Sequence, residues 1–492
     1  MRKQEAPVYA AIDIGSNTIH LVVARCKPDD LEILEDQVEM VRIGESVTAN
    51  GEISAQKLQD SLATLRAYKA LAKKHKAKRV LVVATEAIRK ASNSADFLEQ
   101  VQRKTGLQVN VISGTTEATL TFYGATYEES KEAGTSAVLG VMDLGGGSTE
   151  LVSAKNMRIV WRTSIPIGSG WLHDRYLLSN PPTGDELAVA ETFLRTYLQG
   201  MRLKNAPARL IVTGGSANSL LYLAQAAHRL DKDRHRLTYD ELVRCEGLVS
   251  ALPAEEIHER YGQPTSRALV LPAGALIMRE VMQRLHLQEI AISPHGIREG
   301  ALLAYARYGE QWLERVNEES ASTQQAATQV VKDGAIHGVM VDEPFIEAGR
   351  QMLRERAEKL FEWHDEVLQD EDVEAVHKMR VATRRLRATL DAFETCSRPR
   401  QFKKVYRRIK EMADILGSAR DTDVMLQGLR DTREHVVSEE KAGVQWLIDR
   451  LGTYREQRQE ALEDFFRSLD EDELRREIEA CIQTGAASNG KS

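Results

Sequence analysis

The sequence predicts an α/β region followed by an all-α region. Through roughly residue 310, short β-rich apolar runs alternate with helical patterns, which is the signature of strands covered by helices. An unusual unit, apolar strand–Asp–Gly–small hydroxyl residues–strand, occurs at Tyr9–Ala24 and again at Val138–Ser153, so the α/β region looks internally duplicated. Beyond Glu343 no strand pattern remains and long segments of 3.6 period predict helices only.

Taken in order, strands are expected at Tyr9–Ile14, Ile19–Ala24, Val80–Ala84, Val109–Ile112, Ala137–Leu144, Glu150–Ser153, Leu210–Thr213 and Ile290–Ser293. Helices are expected at Ala55–His75 and Ala95–Thr105. The two halves of the duplication predict lobes at 1–124 and 125–310. The polar, small-residue stretch NEESASTQQAATQ predicts a linker or loosely packed helix within 311–342. An all-helical bundle is expected over 343–483, and a frayed tail over 484–492.

Composition narrows the class. In 492 residues, 42% are hydrophobic and 28% charged, an ordinary globular balance that excludes a disordered or collagenous chain. The longest apolar stretch, Leu269–Met278, is well short of the ~20 residues that cross a bilayer, and MRKQEAPVYA has no signal-peptide core. Cys26, Cys245, Cys396 and Cys481 lie far apart, which suggests neither a disulfide framework nor a zinc ribbon. The expectation is a soluble cytoplasmic protein with no membrane partner.

The glycine-rich loops carry the first chemical signal. In Asp143-Leu-Gly-Gly-Gly-Ser-Thr-Glu150, the glycines Gly145, Gly146 and Gly147 let an anion approach successive backbone N–H groups, and Ser148 adds a hydroxyl donor. Asp143 and Glu150 flank the loop with carboxylates, which suits Mg²⁺ beside phosphate oxygens. The loop Asp13 to Thr18 offers the same parts in Asp13, Gly15, Ser16, Asn17 and Thr18, and Gly214-Gly215 after the Leu210–Thr213 run supplies a third. One such loop alone reads equally well as an ordinary hairpin; the recurrence argues for phosphate.

The strings AAIDIGSNTIHLVVA, MVRIGESV, VVATEAIRKASN, VISGTTEATL, MDLGGGSTELV, PIGSGWL, VTGGSAN and SPHGIREGAL, in this order over residues 8 to about 304, resemble the exopolyphosphatase / guanosine pentaphosphate phosphohydrolase (Ppx/GppA) family. The resemblance implies the two-lobed, duplicated ribonuclease H-like fold of the actin/hexokinase/Hsp70 superfamily. It also implies hydrolysis of terminal phosphoanhydride bonds with Mg²⁺ or Mn²⁺. By itself, Glu117 in VISGTTEATL reads as a first-turn helix carboxylate placed by the helix dipole. The resemblance implies instead that it is the general base that deprotonates water; where many members carry a second Glu, this chain has Thr116. Arg89 is a candidate phosphate clamp, with a solvated helix arginine beside Lys90 as the alternative. Arg298 beside Glu299 reads as a structural ion pair, and His20, His173 and His295 as packing or capping groups.

Charge points to a second ligand-binding element. Residues 376–420 carry 13 Lys and Arg against four Asp and Glu, a local +9 in a chain of net −7. His377, Arg380, Arg384 and Arg387 fall on one helical face, and Lys403, Arg407 and Lys410 on another. Such charge runs are usually solvated surface, but these faces hold almost no acid and would suit a linear polyanion. AVHKMRVATRRLRATLDAF and FKKVYRRIKEMADILGSARDTDVML resemble the CHAD domain, which implies polyphosphate as that polyanion.

The leading expectation is therefore an exopolyphosphatase with a polyphosphate-binding helical domain. The alternatives are a pppGpp 5′-phosphohydrolase and a nonenzymatic polyphosphate sensor or targeting protein. A homodimer is left open, and no specific nucleic-acid partner is indicated.

Overall fold

The computed structural model describes residues 6–127, 138–201, 205–228, 230–328, 335–336, 339–340, 343–369, 373–394, 397, 399–435 and 441–481. The chain folds as two compact units, Met1–Met340 and Val341–Ser492.

The first unit contains two sheets of the same plan. β1 (Val8–Ile14), β2 (Thr18–Lys27) and β3 (Asp30–Met40) form an antiparallel meander, and β4 (Val80–Ala84) and β5 (Val109–Val111) extend it parallel to β1, giving the order β3-β2-β1-β4-β5. β6 (Leu139–Leu144), β7 (Thr149–Lys155) and β8 (Arg158–Ile165) repeat the meander. β9 (Arg209–Thr213) pairs parallel with β6, β11 (Glu289–Ile292) parallel with β9, and β10 (Arg236–Thr238) closes the edge, in the order β10-β11-β9-β6-β7-β8. The duplication read from the loops is thus a duplication of whole sheets, the actin-like architecture that the motifs implied.

Three strands of these two sheets escaped the sequence pattern. β3, β8 and β10 lie at sheet edges. β3 exposes six of its eleven residues, Glu32, Asp36 and Glu39 among them, so it lacks the apolar run of a buried strand.

Helices Ala55–Lys74 and Ser94–Thr105 cover one face of the first sheet, burying Leu62, Leu65, Phe97 and Val101 against Ile12, Ile14 and Val82. Helix Gly114–Thr126 serves both sheets. Its Leu120 packs with Ala11, Val83 and Leu302, while Ala118 and Phe122 pack with Val141, Val152 and Ile211. Helix Ile297–Tyr308 crosses it at backbone contact. A Cβ on Gly124 would meet the Gly296 carbonyl oxygen and one on Gly300 the Leu120 carbonyl oxygen, so both positions require glycine.

The expected linker, 311–342, is more structured than its composition suggests. Helix Trp312–Thr328 buries Trp312 and Val316 in the core of the first sheet, and a short hairpin, Ala335–Ile336 with Val339–Met340, follows.

The second unit is all helix: Glu343–Phe361, His364–Gln369, Val373–Ala392, Pro399–His435, Lys441–Arg467 and Glu471–Cys481. Its core joins Phe345, Leu360, Leu386, Leu390, Phe393, Ile409, Met412, Leu462, Phe466 and Ile478. The tail 484–492 and Cys396 lie outside the described residues. Among the described residues no helix is long and apolar enough to cross a membrane.

Candidate active site

Each glycine-rich loop is a tight hairpin turn closed by the same hydrogen bond. Gly15 N–H donates to the Thr18 carbonyl at 2.9 Å, and Gly145 N–H to the Ser148 carbonyl at 3.1 Å. Strand register fixes the carboxylates. Asp13 and Asp143 are the penultimate residues of β1 and β6, opposite His20 and Glu150 respectively. His20 is therefore the first sheet's counterpart of Glu150.

The two hairpins face one another across a cleft of about 870 Å³. Its walls include Asp13, Gly15, Ser16, Asn17, Thr18, Glu117, Asp143, Gly145, Gly146, Gly147, Ser148, Gly214 and Gly215. Every glycine-loop residue expected to bind phosphate lines it, together with the expected base; Arg89, the expected clamp, does not. Gly147 is where the hairpins come closest; a Cβ there would meet the Glu86 carboxylate and the Ser16 hydroxyl. The Asn17 Nδ2 and Asp13 Oδ1 atoms are buried without a hydrogen-bond partner. A donor and an acceptor left open in this polar cleft are groups that a ligand would complete.

Glu117 sits in the first turn of its helix, which Ser113 caps by accepting the Thr116 N–H at 3.1 Å. It is 7% exposed. Burial, and then the nearby Glu150 carboxylate, holds its pKa well above the ordinary range, against the pull of Arg89. Burial likewise raises Asp13 to about 7, Glu150 to about 8, and Asp143 above its usual value. Four carboxyl groups thus crowd one region of low dielectric, which favours the arrival of positive charge.

Two expected residues stand differently from their neighbours. Arg89 does not line the cleft; it donates to the Ile112 carbonyl at 2.6 Å and reaches Glu117 at 3.5 Å, so its contacts are with Glu117 and backbone rather than with the cleft. Glu150 is 1% exposed, accepts the Ser164 hydroxyl at 2.6 Å and lies off the cleft wall. Of the hairpin carboxylates, Asp13 and Asp143 line the cleft, with Asp143 taking a hydrogen bond from Thr121 at 2.7 Å; Asp36, Glu39 and Glu117 line it as well. Among the described residues no three His, Cys, Asp or Glu groups converge to hold a cation unaided. Two carboxylates in a polar cleft still suit Mg²⁺, which keeps waters and takes its remaining ligands from phosphate.

Other cationic groups on the wall carried less sequence signal. Arg267, in QPTSRALV, is 9% exposed and lies against Gly215, and burial pushes its pKa down to about 10. No glycine-rich loop or acidic partner marks it in the sequence; only the fold turns it inward. Arg298 pairs with Asp36 at 2.9 Å and Glu299 at 3.7 Å, and also donates to His20 Nδ1 at 3.1 Å while facing the cleft. That bond makes His20 Nε2–H the donor to Thr18 Oγ1 at 2.9 Å, so His20 orients the first loop as a neutral ring.

In the helical unit the helix of the first basic stripe packs on the helix of the second. Arg387 donates to the Tyr406 hydroxyl at 3.2 Å and lies over its ring, and Arg380 lies beside Gly417. Lys410 shares the Tyr406–Gly417 row on its helix. His377 and Arg384 are half-buried, whereas Lys403 and Arg407 are exposed. Acid reaches this region from far along the chain: Glu477 pairs with Lys404 and Arg408, and Glu473 with Arg408. Glu473 and Glu477 thus neutralise residues that lie between those of the expected stripe, and within the stripe Arg407 lies 3.8 Å from Glu411.

Residues 22–308 match the Ppx/GppA phosphatase family, and residues 351–492 match the CHAD domain. The chain is 31% identical over 318 residues to exopolyphosphatase 2 of Mycobacterium tuberculosis, covering 60% of this chain and 98% of that protein. It is 28% identical over 302 residues to exopolyphosphatase 1 of Mycobacterium leprae, covering 59% and 87%. Among solved structures it resembles the Aquifex aeolicus PPX-GPPA enzyme, with 30% identity, a TM-score of 0.52, and coverage of 61% and 99%. It also resembles an exopolyphosphatase-like protein, with 26% identity, a TM-score of 0.57, and coverage of 62% and 99%. With the paired glycine-rich hairpins, the cleft and the family match in agreement, this chain belongs to the Ppx/GppA phosphatases, a family of phosphoanhydride hydrolases, and carries a CHAD domain C-terminal to its phosphatase region.

Proposed function

We propose that the protein is an exopolyphosphatase that removes terminal phosphate from inorganic polyphosphate by direct attack of water. The observation that carries this reading is that Glu117 faces the same cleft as both phosphate loops and the Asp13/Asp143 pair. The chain end lies between lobe 1–124 and lobe 125–310. Backbone N–H groups of Ser16–Thr18 and Gly146–Ser148, with Asn17 Nδ2, hold its phosphate oxygens. Arg267 and Arg298 balance the charge of the phosphates behind it.

Glu117 accepts a proton from a water aligned on the terminal phosphorus. The water oxygen bonds to phosphorus as the bridging P–O bond breaks, releasing orthophosphate and a polymer one unit shorter. A carboxyl with a raised pKa is a stronger base once ionised, and Arg89, anchored on the Ile112 carbonyl, favours that ionised form. Asp13 and Asp143 would hold Mg²⁺ or Mn²⁺, which supplies charge neutralisation at the phosphate oxygens. Glu150 supports the cluster from behind through Ser164. The basic seam of the helical unit binds the distal polymer.

The test is polyphosphate of defined length incubated with the protein and Mg²⁺. Orthophosphate should accumulate from the outset without mid-length fragments. No release of orthophosphate would overturn the reading.

A further inference from the structure

Helix Trp312–Thr328 lies outside both matched segments, 22–308 and 351–492, yet it packs directly on the helix that bears Glu117. Its contacts are specific. Thr116 Oγ1 donates to Asn317 Oδ1 at 2.7 Å. Thr119 and Ser320 hydroxyls meet at 3.1 Å, and the buried Arg162 of β8 joins both helices, donating to Thr119 Oγ1 at 2.9 Å and to the Ser320 carbonyl.

The Asn317 contact bears on the cap of the Glu117 helix. Ser113 Oγ is 2.7 Å from Thr116 Oγ1 and 2.9 Å from Thr115 Oγ1, and it also accepts the Thr116 N–H. A hydroxyl has one proton. Because Thr116 gives its proton to Asn317, the Ser113 hydroxyl must donate to Thr116, and Thr115 to Ser113. The chain then runs one way, Thr115 to Ser113 to Thr116 to Asn317. Without the acceptor on Asn317, the Thr116 hydroxyl is free to turn back onto Ser113 Oγ and compete with the capping N–H. The first turn, and Glu117 within it, then loses its single arrangement.

We infer that Asn317 is a positioning residue that fixes the capping turn of Glu117 through Thr116. This rests on the reading of Glu117 as the base. It also gives a role to Thr116: Thr116 and Asn317 are a matched donor and acceptor.

The experiment uses the full-length protein, long-chain polyphosphate and Mg²⁺. Asn317→Leu, which keeps the size and removes the acceptor, should lower kcat roughly tenfold with KM unchanged, since small misplacement of a reacting group has large kinetic effects. Asn317→Asp, which keeps Oδ1, should restore most of the loss. Thr116→Val should reproduce the loss, and the double variant Thr116→Val/Asn317→Leu should be no worse than either single one. An Asn317→Leu enzyme with kcat within twofold of wild type, or double-variant losses that multiply, would overturn the inference. Glu117→Gln is measured alongside. If that variant keeps its turnover, the assignment of the base fails; if it is inactive while Asn317→Leu is normal, only the positioning role fails.

Discussion

Replacing Glu117 with glutamine removes a base while preserving shape, and the structure indicates how little else should change. The carboxyl is 7% exposed, and its contact with Arg89, at 3.5 Å, is long. Arg89 has a shorter bond to the Ile112 carbonyl, at 2.6 Å, so it stays anchored without its acidic neighbour. Burial and the Glu150 carboxylate already disfavour charge on Glu117, so a neutral amide relieves repulsion rather than stranding a partner. The melting temperature should therefore hold or rise. Loss of general-base assistance is worth about 10²–10⁴ in rate, or ~2.7–5.5 kcal/mol in the barrier. The assay is initial orthophosphate release at saturating polyphosphate and Mg²⁺, with polymer binding measured in parallel. Binding should remain near wild type. Turnover above half that of wild type would refute the reasoning and leave Glu117 as a helix-start carboxylate.

Three further outcomes follow from the geometry. Asp13→Asn and Asp143→Asn should each shift the Mg²⁺ activation curve to higher concentration, whereas unchanged curves for both would remove the metal assignment. Asp13, at about 7, and Glu150, at about 8, lie above the ~4 of free carboxyls, so the folded protein holds protons that the unfolded chain releases. Without divalent cation the melting temperature should fall as pH rises from about 5 to 8.5, less so in Glu150→Gln, and a rise across that window would contradict the buried acidic cluster. Lys403→Glu together with Arg407→Glu changes two exposed charges of the basic seam; it should weaken capture of long polyphosphate at low salt and leave tripolyphosphate hydrolysis intact, and unchanged capture would mark the seam as solvated surface.

What could be read from the sequence was what local chemistry dictates. The Asp–Gly–hydroxyl hairpins need particular residues in consecutive positions, so Asp13 to Thr18 and Asp143 to Ser148 announced themselves, and the fold brings them to one cleft. Buried strands such as Val80–Ala84 were visible for the same reason, being apolar throughout. Edge strand β3 was not, because half its residues face solvent. Groups whose role depends on distant neighbours were also hidden. Arg267 turns inward only through the packing of its loop against Gly215, and Asn317 meets Thr116 across 201 residues of chain. Glu150 was legible as a flanking carboxylate but not as one drawn behind the wall, since its Ser164 partner comes from the next strand. In the helical unit the apolar stripes of the basic helices were evident, whereas the acids that neutralise Lys404 and Arg408 arrive from the last helix.

The most direct test of the central claim is orthophosphate release by the purified full-length protein from long-chain polyphosphate and from pppGpp, measured side by side under one Mg²⁺ concentration. Both substrates end in a phosphoanhydride bond that the Glu117 cleft could attack, and under the proposed function the polymer also engages the basic seam of the helical unit. The account predicts a kcat/KM for long-chain polyphosphate well above that for pppGpp, with the advantage shrinking as salt rises. Preferred hydrolysis of pppGpp, or no release from either substrate, would contradict it.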